Sequence, residues 1–111
     1  ARAWGRRTIA IFQPHLYSRT EFFANDFAKA LSAADQVIVT DIYAAREQPM
    51  PGVSGKMIAD RIPHAQFIPD KEKIADELIP NLQSGDLVVV MGAGDIRATA
   101  EEILERLTSN E

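Results

Sequence analysis

Short apolar runs rich in β-branched residues alternate along this chain with longer stretches whose apolar positions recur every three or four residues. Thr8-Ile9-Ala10-Ile11-Phe12 reads as a buried strand, closed off by Pro14. Ser18 followed by Glu21 has the form of a capping box and predicts a helix running to about Ala33, with Phe23, Phe27, Ala30 and Leu31 as its apolar stripe. Gln36 to Ile42 predicts a second strand on its Val, Ile and Thr content. Tyr43 to Ser54, with Pro49, Pro51 and Gly52, is the longest irregular stretch and so a candidate functional loop. A short helix is expected over Gly55 to Ile62 and a short strand at Gln66-Phe67-Ile68. Asp70 is placed to cap a helix carrying Ile74, Leu78, Ile79 and Leu82, with Pro80 expected to end that helix or start its last turn. Gly85-Asp86 turns into the strand Leu87 to Met91, which Gly92-Ala93-Gly94 breaks. A last helix from about Ile96 is expected to bury Ile96, Ala100, Ile103, Leu104 and Leu107.

The sum is βαβαβαβα. Nearly continuous apolar strands separated by helices predict an α/β fold: a doubly wound, mainly parallel sheet with helices on both faces. The pattern leaves strand order open.

Composition narrows the picture. A chain of 111 residues, 46% apolar and 25% charged, is a single domain able to bury roughly two-thirds of its surface. Twelve basic against sixteen acidic residues leave −4, which argues against a nucleic-acid or anionic-membrane surface but leaves room for a local anion site. The longest apolar run, Leu87 to Met91, is far too short to span a membrane. With no cysteine there is no disulfide, thiolate metal site or thiol nucleophile, and two distant histidines do not suggest zinc. The chain opens at Ala1 rather than at a methionine, as a processed chain or a piece of a longer one would.

In open α/β sheets ligands bind beyond the carboxyl ends of the strands, and three loops leave those ends. In Gln13 to Thr20, His15 and Arg19 lie at a helix start, where free N–H groups and the helix dipole favour an anion. An Arg fork can hold a carboxylate or phosphate at two points, although both residues also fit as solvated turn residues beside a capping Ser18. Gly92-Ala93-Gly94-Asp95 permits close backbone approach to a ligand, but it equally fits a tight turn with Asp95 as a helix cap. It is not a dinucleotide fingerprint, because Arg97 stands where Gly or Ala is needed. Asp41, at a strand end, is as well explained by solvation as by chemistry. Gly52 to Met57 imitates a phosphate loop, yet the spacing is wrong and Met57 cannot hold Mg²⁺. No nucleophile elbow, metal cluster or assignable acid–base pair is present, so no residue is assigned a catalytic role and none a metal.

The stretch IFQPHLYSRT, Ile11 to Thr20, resembles a signature of the Mur ligase family, in the branch that adds L-alanine to UDP-N-acetylmuramate. The likeness continues through DIYAAREQPMPGVSG (Asp41 to Gly55) and VVVMGAGDI (Val88 to Ile96). The resemblance implies a Rossmann-like C-terminal domain, residues 1–111, lacking its first segment, and a partnership with N-terminal and central domains. It implies an ATP- and Mg²⁺-dependent, amide-forming ligase of peptidoglycan synthesis, working in the cytoplasm through an acyl phosphate. The central domain would bring the P-loop and most metal ligands, so this piece alone is expected to be inactive. His15 and Arg19 match the family's FQPHRYTRT pattern as residues holding L-alanine, Arg19 by its carboxylate. For His15, binding is favoured over orienting Tyr17 or taking the amine proton. Leu16 replaces an arginine common in the family, so one cationic contact is missing. Tyr17, Gly92, Ala93, Gly94 and Asp95 follow as further cleft residues. The alternatives are an autonomous nucleotide- or carboxylate-binding module and, weakly, a phospho-receiver domain. The latter lacks acidic residues after the first strand and a lysine after the last.

Overall fold

The structure, a computed structural model, describes residues 7–92 and 94–109. β1 (Thr8–Phe12), β2 (Gln36–Val39), β3 (Ala65–Phe67) and β4 (Leu87–Met91) form one sheet in the order β3-β2-β1-β4. All three pairings are parallel; Ile9 lies opposite Gln36 on one side and Val88 on the other. This is the order of the first four strands of the dinucleotide-binding fold.

Side chains alternate across the strands, so the sheet carries two cores. Ala10, Val37 and Val39 pack against Ala24, Ala28 and Leu31 of α1 (Tyr17–Leu31) and Ile58 and Ala59 of α2 (Lys56–Ala59). On the opposite face Ile9, Ile11 and Ile38 meet Ile74, Ala75 and Leu78 of α3 (Ile74–Leu78) and Ile103 of α4 (Arg97–Ser109). The chain steps from β1 to β3 in one direction and then returns past β1 to β4. Right-handed crossovers therefore put the later helices on the other face.

Local differences from the sequence pattern have physical causes. α1 begins at Tyr17 behind Leu16, so Ser18 lies inside its first turn and the Ser18–Glu21 capping box does not form. The buried stripe of α1 is Thr20, Ala24, Ala28 and Leu31, while Phe23 and Ala30 are exposed. Small residues four apart let the helix lie close on the sheet. Phe27 is left half-buried at the flank, 5.1 Å from the Phe12 ring. β2 stops at Val39, β3 starts one residue earlier than expected, and α2 is shorter. Asp70, expected to cap the helix, caps instead a 3-10 turn, Lys71–Lys73, that leads into α3, accepting the Glu72 N–H at 2.9 Å. Ile79 and Pro80 fall in the 3-10 turn that follows α3.

α4 departs most. Ile103 is 5% exposed, yet Leu104 is 68% and Leu107 39% exposed, because among the described residues β4 is the edge strand and no sheet lies beneath the outer half of the stripe. Apolar hollows flank that edge: Val89 with Ala30 and Leu31 on one face, Val90 with Leu104 and Leu107 on the other.

Ile103→Ala should lower unfolding free energy by about 2–4 kcal/mol, the usual cost of a core cavity. Leu104→Ala should cost under about 0.5 kcal/mol, as for an exposed residue. Urea denaturation measures both; equal costs would mean that α4 lies in another orientation.

Candidate functional site

β1 and β4 are neighbours whose outgoing loops turn to opposite faces, which opens a crevice at their carboxyl ends. The β1 loop is held before it reaches α1. Gln13 and Pro14 are buried, the Gln13 N–H donates to the Met91 carbonyl, and the Tyr43 N–H donates to the Pro14 carbonyl at 2.8 Å. His15 then pairs with Tyr43 in a parallel bridge, their rings stacked 5.9 Å apart. Turning from there into the helix forces Leu16 to φ 68°, a left-handed conformation costly for a bulky residue.

An anion does sit at the α1 N-terminus, and the chain supplies it. Glu47 Oε1 accepts the Tyr17 N–H at 2.5 Å and the Ser18 N–H at 3.2 Å, while Oε2 accepts the Ser18 hydroxyl at 2.5 Å. The Ser18 hydroxyl, then the Ser18 and Tyr17 amides, hold the Glu47 carboxyl below the usual carboxylate range, and His15 adds to the effect. The expected clamp is thus rearranged. Half-buried Tyr17 gives its N–H to Glu47, and His15 stands beside both Tyr43 and Glu47. Arg19 is exposed, and its side chain makes no hydrogen bond or ion pair among the described residues.

The β4 loop closes on the same place. A Cβ at Gly94 would lie 2.5 Å from Tyr43 Cγ and 2.8 Å from Gln13 Oε1, so only glycine lets the loops approach this closely. A Cβ at Gly92 would meet Ile96 at 2.7 Å. Ala93 lies outside the described residues. Asp95 spends its side chain on tying loops together: Oδ1 accepts Gln13 Nε2 at 2.8 Å and Oδ2 pairs with Lys71 Nζ at 2.9 Å. The Gln13 amide and Lys71 hold the Asp95 carboxyl below its ordinary range, and Asp95 pushes the Lys71 ammonium up. Beside this joint is a cavity of about 410 Å³ lined by Gln13, Asp41, Tyr43, Asp70, Lys71 and Asp95.

Gln13, Tyr43, Glu47 and Lys71 were given no role by their sequence neighbourhoods, since each acts through a partner distant in the chain. Asp41 is exposed and accepts its neighbour Ile42's N–H at 2.9 Å. Among the described residues no group of three or more His, Asp or Glu is placed to hold a metal. The Gly52–Met57 stretch is not a phosphate cradle: Gly55 packs against the Thr40 carbonyl and Lys56 pairs with Asp60 at 2.9 Å. Among the described residues no helix is long and apolar enough to cross a membrane.

Because its folded pKa is depressed, Glu47 contributes stability above its unfolded pKa of about 4.3 and loses that contribution as pH falls through the lower folded value. The Tyr17 and Ser18 amide shifts should therefore titrate together below about pH 4.3, and Glu47→Gln should abolish that titration. Amide shifts that stay flat in the unmutated chain would show that Glu47 is elsewhere. Gly94→Ala should cost about 1–3 kcal/mol in urea denaturation, as overpacking does.

A family model described as "Mur ligase, glutamate ligase domain" matches residues 1–94. The UDP-N-acetylmuramate–L-alanine ligase of Mycolicibacterium gilvum is 54% identical over 101 residues, which are 90% of this chain and 21% of that protein. The enzyme of the same name from Mycolicibacterium smegmatis is 50% identical over 104 residues, 93% of this chain and 22% of that protein. The chain thus spans about a fifth of the length of these relatives. A crystallised domain from Haemophilus ducreyi, described as a UDP-N-acetylmuramate:L-alanyl-γ-D-glutamyl-diaminopimelate ligase, superposes with a TM-score of 0.65 at 17% identity. The match takes in 94% of this chain and 71% of that one. That structural likeness bears on the fold; the sequence matches bear on descent, and by them the chain belongs to the Mur ligase family.

Proposed function

We propose that this chain belongs to the amino-acid-binding C-terminal domain of an ATP-dependent ligase that joins L-alanine to UDP-N-acetylmuramate in peptidoglycan precursor synthesis. The observation that carries this is the 54% identity to a ligase of that name across 90% of the chain. Such a ligase activates the muramoyl carboxylate as an acyl phosphate, which the alanine amine then attacks. It would work in the cytoplasm, serving cell-wall growth and division. ATP and Mg²⁺ would be bound chiefly by the central domain.

Within this domain Arg19 is the residue to hold the alanine carboxylate. Its guanidinium is a permanent cation with a two-point fork, exposed and without a competing partner among the described residues. His15 would stand at the same end, and Tyr17, Gly92, Gly94 and Asp95 would border the cleft. Glu47 already neutralises the helix N-terminus, so the carboxylate would depend on these side chains rather than on the α1 dipole. Among the described residues β4 lies at the edge of the sheet with apolar hollows on both of its faces, which suits a surface packed against another part of a larger ligase.

A chimaera carrying this chain in place of the matching part of the Mycolicibacterium gilvum relative tests the proposal. It should release phosphate from ATP only when both UDP-N-acetylmuramate and L-alanine are present. Arg19→Ala should then raise KM for L-alanine about ten- to a hundredfold, as loss of a charged hydrogen bond does. A folded chimaera with no alanine-dependent turnover would sink the assignment, and an unchanged KM would remove Arg19 from it.

A further inference from the structure

We infer that the side-chain carbonyl of Gln13 receives the amino group of the amino-acid ligand, with Asp95 and Lys71 as the positioning residues that keep it turned to do so. The inference rests on reading His15 and Arg19 as the carboxylate end of the site. Gln13 is 5% exposed, and a buried amide is costly unless both of its ends are bonded. Only one is. Nε2 donates to Asp95 Oδ1 at 2.8 Å, whereas Oε1 is buried with no hydrogen-bond partner among the described residues. An apolar residue would fill the same space without leaving an orphaned acceptor, whose cost is about 1–3 kcal/mol.

The orientation of the amide is fixed by charge. Turning it over would set the carbonyl oxygen against a carboxylate, two acceptors with no proton between them. Lys71, on the other oxygen of Asp95 at 2.9 Å, keeps that carboxylate ionised and in place. The free acceptor therefore stays at the meeting of the β1, β2 and β4 loops, against Gly94 and the Tyr43 ring. Tyr43 stacks on His15 and so joins the two ends of the site. Gly94 covers the oxygen with no side chain, so a small shift of that loop uncovers it. The adjoining cavity carries Asp41, Asp70 and Asp95 against Lys71 alone, an excess of negative charge that suits an ammonium group. A carbonyl acceptor can orient an amine without keeping its proton, as a nucleophile requires.

The test is a titration of the 111-residue chain, followed by amide NMR, with L-alanine and with propionate, which has the carboxylate but no amine. The chain should bind alanine about tenfold more tightly than propionate, the worth of one hydrogen bond to a charged group. Gln13→Met should remove that preference and leave propionate affinity within about twofold. Asp95→Asn, which frees the amide to turn, should reduce the preference and serves as the second variant if Gln13→Met does not fold. Equal binding of both ligands by the unmutated chain, or a preference that survives a folded variant, overturns the inference and leaves the carboxylate end standing. Binding of neither ligand overturns that underlying reading, and the inference with it.

Discussion

β1 has a parallel partner on each side, and most of the architecture follows from accommodating both. Leaving β1 by a right-handed crossover carries the chain to β2 and β3 with α1 and α2 on one face. Coming back to β4 on the opposite flank must then use the other face. The two loops at the carboxyl ends of β1 and β4 are thereby sent apart while their strands stay bonded. The pair is pinned at both ends. At the amino end Arg7 pairs with Asp86 at 2.6 Å, and Asp35 exchanges backbone and carboxylate bonds with Thr8 at 2.9 and 2.7 Å. At the carboxyl end a single amide, Gln13, reaches across to Asp95. The first clamp is built on a partly buried ion pair; the second lies where the topology places ligands.

Charge placement at that second end is uneven in a useful way. Glu47 cancels the positive end of α1, and Lys71 is answered by Asp95. Arg19 is then a cation near the α1 start whose side chain has no carboxylate partner among the described residues, while His15 stands beside Glu47. A helix terminus left bare would attract any anion. Filling it with the chain's own carboxylate hands recognition to side chains with directional hydrogen bonds.

The alternation of strands and helices was legible because buried parallel strands leave continuous apolar runs, a signal contained within five residues for β1 and for β4. The start of α1 was not, because Ser18 and Glu21 imitate a local cap while the real one comes from Glu47, 29 residues on from Ser18. Leu104 and Leu107 show another limit: periodicity says which side of a helix is apolar, not whether anything lies beneath it. In the site, His15 and Arg19 stood out because they share one short motif. The tie from Lys71 through Asp95 to Gln13 spans three loops, and those loops meet only because β1 lies beside β4, which no local pattern states.

The same bond serves the fold and the ligand, and that sets how each can change. Gln13 gives its donor to Asp95 to close the sheet's carboxyl end, which leaves its acceptor as the group available for recognition. Removing the bond loosens the β1–β4 joint and releases the acceptor together. Strengthening the joint with a side chain at Gly94 would cover that acceptor more deeply and press on Tyr43. Leu16 and Ala45, at φ 68° and 55°, flank the stacked pair His15 and Tyr43 on their two loops. Left-handed residues store backbone strain that the surrounding bonds must hold. A ligand drawing on Gln13 and His15 at once would therefore act on loops already held away from their relaxed shape, so little binding energy need go into bending them.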